Sequence, residues 1–125
     1  MAKNTPNAPN WLSNAEEHDF PAAESFLRLI YAEATVTKLV AGLRAAPISM
    51  FQAKDIFRAS QLSLLGVSNS HVDKDTRKIA AGSNLSPLLL VRDEAHGRVV
   101  IADGYHRLCA VYAFDEDATI PCKIV

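Results

Sequence analysis

The sequence lacks the short motifs that mark the common nucleotide-binding and hydrolytic enzymes. Its glycines are isolated from one another, so it contains neither a phosphate-binding P-loop nor a dinucleotide-binding fingerprint. It also has no Gly-x-Ser-x-Gly elbow and no His-Glu-x-x-His pair. These absences argue against the usual hydrolase, dehydrogenase and zinc-protease assignments.

Cysteine, excess charge and long apolar runs are also scarce. Cys109 and Cys122 form no CxxC motif, and we expect both to be reduced and buried. The formal net charge is −1, which does not favour DNA or an anionic membrane as a partner. Because no run is long enough to cross a bilayer and the N-terminus lacks a signal peptide's apolar core, we expect a cytoplasmic protein.

The chain is long enough for one domain with a core of its own, at 125 residues. Residues 1–20 contain most of the Asn-Pro-rich sequence, and we expect a flexible segment there, with Trp11-Leu12 as a candidate anchor. Residues 21–125 then form the single domain.

A long N-terminal helix is the first element that the periodicity predicts. Pro21 suits a first helical position, Pro47 ends the pattern, and between them apolar residues recur three and four positions apart: Phe26, Leu29, Ile30, Val36, Leu39, Val40 and Leu43. The pattern predicts one helix over 21–45. Such a helix would pack across a sheet, or pair with a second copy of the chain in a homodimer.

The remaining pattern alternates strands and helices. It predicts strands over 48–52, 86–92, 98–102 and 119–125, and helices over 53–60, 74–81 and 104–114. A capping box at Ser70 and Asp73 precedes the second of these helices, and Pro121 suggests that the last strand lies at an edge or begins there. The fold class is therefore α+β (mixed α/β), a small mixed sheet flanked by helices.

The chemically distinctive stretch is Asp103-Gly-Tyr-His-Arg107, where an apolar strand breaks into a helix. A helix start presents free N–H groups, and the guanidinium of Arg107 in the first turn can fork onto a phosphate. We therefore expect Gly104, Tyr105, His106 and Arg107 to bind phosphate. The alternative for Arg107 is a salt bridge to Asp103 or to the acidic loop 115–117.

The neighbours of Arg107 each have two candidate roles. His106 could act as an acid or base, or only hydrogen-bond to a nearby carbonyl. Asp103 could hold Mg²⁺ or accept a substrate proton, although capping the helix would explain it alone. Asp103 and His106 are thus the candidate catalytic residues, and Asp103 the candidate metal ligand. Tyr105 either stacks on a base or packs at the rim of the sheet.

Two features of the segment before this stretch also have alternatives. His71, Asp73 and Asp75 alternate like metal ligands, but a capped helix accounts for them with fewer assumptions. Lys74, Arg77 and Lys78 form a basic edge on the same helix, either a solvated face or a set of cations beside the phosphate site.

Three segments together resemble the core of the ParB/sulfiredoxin superfamily: Leu85–Arg92, Val99–Leu108 and Ile120–Ile124. The resemblance implies that family's fold and a phosphate bound near the Gly-x-x-Arg helix start. Members include sulfiredoxins that use ATP, chromosome-partition proteins that bind CTP, kinases that act on free serine, and proteins described as nucleases. Small uncharacterised bacterial proteins share the Ala-Asp-Gly-Tyr-His-Arg signature.

The sequence departs from these members at informative positions. Tyr105 stands where sulfiredoxins have their catalytic cysteine, so reduction of sulfinic acid is not expected. Partition proteins match Gly104 and Arg107 only, whereas the kinases also share the Asp103-Gly104 pair. No match was found for the catalytic carboxylate that those kinases draw from the N-terminal part of the fold.

The leading functional expectation is binding of a nucleotide (ATP, ADP or CTP) or another phosphorylated small molecule. Mg²⁺-dependent phosphoryl transfer or hydrolysis would follow if the site is catalytic. The alternative is a non-enzymatic protein- or DNA-binding module that is dimeric through the long helix and uses Lys74–Lys78 for contact. Thiol chemistry at Cys109 is disfavoured by its apolar setting.

Overall fold

The computed structural model describes residues 8–66 and 69–125. Residues 1–7 of the predicted flexible segment lie outside this part. The elements are β1 (Asn10–Trp11), α1 (Asp19–Leu27), α2 (Glu33–Ala45), β2 (Ser49–Gln52), α3 (Ala53–Ser60), α4 (Ser70–Ala81), β3 (Asn84–Leu85), β4 (Leu88–Asp93), β5 (Arg98–Asp103), α5 (Tyr105–Phe114) and β6 (Thr119–Ile124).

The main sheet has four strands in the order β2-β6-β4-β5. β4 and β5 form the expected antiparallel hairpin, closed by a 3-10 turn over Glu94–His96 and by Gly97 at φ 63°. β6 runs parallel to β4 and antiparallel to β2. This mixed sheet with helices around it confirms the α+β class.

The last strand lies inside the sheet and begins at Thr119, so the expectation that Pro121 marks an edge strand or a strand start is wrong. β6 pairs with β2 on one side, where Pro121 faces Met50, and with β4 on the other. The ladder with β4 begins only at Cys122, so the missing N–H of Pro121 removes no hydrogen bond from it.

The two faces of the sheet are both covered. Alternate residues of β4 point to opposite sides: Leu88 and Leu90 contribute to one core, and Leu89 and Val91 to the other. The first core also receives apolar side chains from α3, α4 and α5, and the second receives those of α1 and α2. Both cysteines are buried and free, as expected.

The single helix expected over 21–45 is wrong: the chain forms α1 and α2 with a break between them. Leu27 and Val36, on either side of the break, pack into the same core against the sheet. An unbroken helix would be about 37 Å long, whereas the six-residue strands beneath it span roughly 20 Å. The break keeps both halves on the sheet, and it leaves Phe26, Leu29 and Ile30 of the expected apolar face at 42%, 85% and 41% exposure.

Two local features complete the frame of the site. The cap of α4 is Asn69, whose side chain accepts hydrogen bonds from the N–H groups of His71 and Val72, so the capping box at Ser70 is wrong by one position. Upstream of α1, β1 pairs in parallel with β3.

No helix within residues 8–66 and 69–125 combines the length and apolar character needed to cross a bilayer.

Candidate functional site

The junction of β5 and α5 has the geometry of a helix start without a side-chain cap. Asp103 ends β5, and Gly104 precedes the helix with φ 106°, a conformation that favours glycine. A Cβ at Gly104 would lie 2.8 Å from Cγ of Leu88 and 2.9 Å from Nη2 of Arg107. Because Gly104 occupies the capping position, the expected capping role of Asp103 is wrong, and the first N–H groups of α5 have no capping side chain.

Asp103 is instead bound to Arg107. Nη2 of Arg107 donates to Oδ2 of Asp103 at 2.9 Å and to the carbonyl of Pro87 at 3.4 Å. The salt bridge considered as the alternative for Arg107 is therefore present. Nε of the same guanidinium is buried, and no hydrogen-bond partner for it is found in the described part of the chain. A buried donor without an acceptor is costly in a folded protein.

A second carboxylate, which sequence reasoning missed, lies behind Arg107. Asp19 at the start of α1 is only 3% exposed and accepts a hydrogen bond from the hydroxyl of Ser86. Its Oδ2 lies 3.8 Å from Nη2 of Arg107. Burial raises the pKa of Asp103, Arg107 opposes that shift, and the neighbouring Asp19 adds to it.

Helix α4 forms the opposite wall of a cleft over this junction. One face of α4, with residues three and four positions apart, contributes His71, Lys74, Asp75 and Lys78. The other wall comes from Asp103, Gly104, His106 and Arg107, and the volume between the walls is about 220 Å³. Two members of the basic edge thus lie beside the expected phosphate site, whereas Arg77 is ion-paired to Asp73 at 3.0 Å.

His106 lies between two other aromatic rings. Its ring centroid is 4.9 Å from that of His71 and 5.5 Å from that of Tyr105. Burial lowers the pKa of His106, and the nearby His71 and Arg107 lower it further, while Asp75 opposes the shift. The imidazole is therefore mostly neutral near pH 7 and can accept a proton.

Tyr105 does not line the cleft with its side chain. Its hydroxyl donates to the carbonyl of Ser63, and its ring packs at the rim of the first core. Of the two roles considered, packing is the one observed. Cys109 is 0% exposed and burial raises the pKa of its thiol, so a reactive thiolate is not favoured there.

The described residues supply few ligands for a metal of their own. Residues 8–66 and 69–125 contain no group of three or more His, Cys, Asp or Glu side chains arranged to hold one. Asp103 is engaged by Arg107, so a Mg²⁺ there would take most of its oxygen ligands from phosphate and water. Magnesium at Asp103 stays a prediction.

Comparison of the chain with models of known protein families, with curated proteins and with solved structures finds no match. The function is therefore inferred from the cleft itself. Its walls bring together every residue expected to bind phosphate except the side chain of Tyr105, together with four residues of α4: His71, Lys74, Asp75 and Lys78. The sequence had offered the two lysines as cations beside the site, whereas His71 and Asp75 were not expected to line it.

Proposed function

We propose that the cleft between α4 and α5 binds the phosphate of a nucleotide or of another phosphorylated small molecule. The observation that carries this proposal is that Arg107, Lys74 and Lys78 converge on one cleft at the start of α5. A guanidinium held by one nitrogen still has donors for a phosphate oxygen. The uncapped N–H groups of α5 supply further donors of the same kind.

The arrangement also supports chemistry on a bound phosphate. Arg107 and the helix start would stabilise charge on a transferring phosphoryl group. His106, neutral near pH 7, would accept a proton from the attacking group. Asp103 would hold Arg107 in place and contribute to a Mg²⁺ site completed by the phosphate.

We also propose that the domain is ParB/sulfiredoxin-like. The three segments that carry the resemblance correspond to β4, the β5–α5 junction and β6, and their strands are neighbours in the main sheet. Their proximity supports the assignment and, with it, a phosphate near Gly104 and Arg107. Cys109, one turn beyond Tyr105 and fully buried, offers no support for the sulfiredoxin reaction.

The observations favour this proposal over the protein- or DNA-binding module. That alternative depends on one long helix as a dimer interface and on a continuous basic edge. Because of the break, α1 and α2 do not form the one long helix that such an interface needs. The basic edge is not continuous either, because Arg77 is paired with Asp73 whereas Lys74 and Lys78 line the cleft.

Isothermal titration with ATP, ADP and CTP, with and without Mg²⁺, tests the proposal. The most informative variant is Lys74→Ala with Lys78→Ala, because neither lysine is buried and the fold should survive their removal. We expect it to weaken binding by about tenfold or more, since bonds to charged groups are worth roughly 1.5–3 kcal/mol. Absence of heat with all three nucleotides at low salt would refute nucleotide binding, and unchanged affinity in the double variant would place the ligand elsewhere.

A further inference from the structure

The lining of the cleft is unusual for a nucleotide site because it is almost entirely ionic. Seven of its eight lining residues are Asp, Lys, Arg or His, and the eighth is Gly104. Within the described chain, no aliphatic, Phe, Tyr or Trp side chain lines it. Sites that bind a base or a drug-sized ligand are lined mainly by apolar and aromatic side chains. This cleft offers a base no such wall.

The aromatic rings nearest the phosphate donors are already packed against one another. The rings of His71 and His106 lie 4.9 Å apart and are tilted by 40°, and those of Tyr105 and His106 lie 5.5 Å apart and are tilted by 51°. Tyr105 is also tied by its hydroxyl to the loop at Ser63. A base that stacked on His106 would compete with these ring contacts.

The volume of the cleft points in the same direction. About 220 Å³ is available, whereas pockets that enclose drug-sized ligands have roughly 300–1,000 Å³. The cleft is therefore smaller than a pocket that encloses a ligand of that size. The large apolar cavity of this domain, about 410 Å³ near Arg98 and Val99, lies at the other end of β5.

We propose that the cleft recognises phosphate groups alone, and that its ligand is a small polar phosphate ester or a short polyphosphate rather than a nucleotide recognised by its base. This inference rests on the proposed function and narrows its ligand class. The cations of the cleft provide the binding, and a nucleoside attached to the phosphates would extend into solvent.

The test compares ligands with and without a nucleoside on the full-length chain. Titration at fixed ionic strength uses tripolyphosphate, ATP, glycerol 3-phosphate and adenosine. We expect tripolyphosphate and ATP to bind with affinities within about fivefold of each other and adenosine not to bind. Stacking of the base would instead favour ATP by roughly five- to 150-fold. Measurable binding of glycerol 3-phosphate would identify a phosphate ester as the ligand class, and binding of tripolyphosphate and ATP without glycerol 3-phosphate would identify a polyphosphate.

Lys78→Ala and Arg77→Ala form a matched pair for this test. Each removes one positive charge from α4, but only Lys78 lines the cleft. We expect Lys78→Ala to weaken tripolyphosphate and ATP by the same factor, about tenfold, and Arg77→Ala to change neither by more than about twofold.

The possible failures are distinguishable. A preference for ATP beyond fivefold, or a loss on Lys78→Ala that differs between the two ligands, overturns the inference and leaves phosphate binding intact. Failure of all four compounds to bind overturns the proposed function together with it.

Discussion

Replacement of Gly104 by alanine is the sharpest single perturbation of the β5–α5 junction. Gly104 has φ 106°, outside the left-handed well that alanine tolerates best, and its Cβ would meet Leu88 and Arg107 at 2.8 and 2.9 Å. Gly97 provides the matched control, since it also has positive φ, at 63°, but its Cβ would meet nothing within 4 Å. Both variants therefore carry a penalty for positive φ, which is larger at Gly104, and only Gly104→Ala adds a clash.

The expected magnitudes follow from these two contributions. At Gly97, a left-handed alanine costs about 1–2 kcal/mol, and reduced freedom of the unfolded chain returns about 0.4–1 kcal/mol, so the net loss is about 1 kcal/mol. At Gly104, the rarer conformation costs about 1–3 kcal/mol and the forced repacking of Leu88 costs about 1–3 kcal/mol more. We expect Gly104→Ala to lower the free energy of unfolding by about 2–5 kcal/mol.

Urea denaturation followed by circular dichroism measures both variants. With a slope of about 1–3 kcal/mol per molar urea, Gly104→Ala should shift the midpoint by about 1 M or more beyond the shift of Gly97→Ala. Because the new methyl group also displaces the guanidinium of Arg107, the folded variant should bind tripolyphosphate more weakly than Gly97→Ala does. Equal losses of stability in the two variants would refute the close packing described at this junction.

Three further predictions address other parts of the structure. Ala32→Ser should stabilise the protein by about 1 kcal/mol in urea denaturation. The reason is that Ala32 is the exposed, extended residue at the N-cap of α2. If residues 21–45 formed one continuous helix, serine at this position would instead destabilise the protein by a few tenths of a kcal/mol. In the same assay, Asn69→Ala should lower the free energy of unfolding by about 1 kcal/mol, and Ser70→Ala should lower it by less than about 0.5 kcal/mol. The reverse order would show that Ser70, and not Asn69, caps α4. The pKa of His106 is lowered in the free protein, so its protonation opposes folding as pH falls below 6.5, whereas a bound anion favours the protonated imidazolium. Titration with sulfate should therefore show an affinity that rises as pH falls. If His106→Gln leaves this pH dependence unchanged, His106 does not have this role.

The elements that sequence reasoning predicted best are those with strong local signals. The hairpin of β4 and β5 has two apolar runs around a polar turn that ends in Gly97, and α5 follows from the Asp103-Gly104 break. The break between α1 and α2 has no such signal, because residues 28–32 contain neither proline nor glycine. It arises from the need to place both Leu27 and Val36 on one face of a short sheet, which only the tertiary fold defines.

The candidate site divides in the same way. Gly104, His106 and Arg107 are adjacent in the sequence, so their grouping was visible there. Asp19 lies in the segment expected to be flexible, and nothing in its neighbours marks it as a buried partner of Arg107. The contribution of α4 depends on how that helix packs against α5, which the sequence does not show. Of its residues, only those of the basic edge were recognisable from the sequence as cations that could lie beside a phosphate.

Charge balance explains why such a site responds to protons. Three cationic side chains (Lys74, Lys78 and Arg107) meet three carboxyl groups (Asp19, Asp75 and Asp103), of which Asp19 and Asp75 are buried. Burial raises the pKa of Asp103 and lowers that of His106, so in each group burial acts against the charged form. Uptake of a proton by either group therefore tips the cleft towards positive charge, and an incoming phosphate is the partner that makes this uptake favourable.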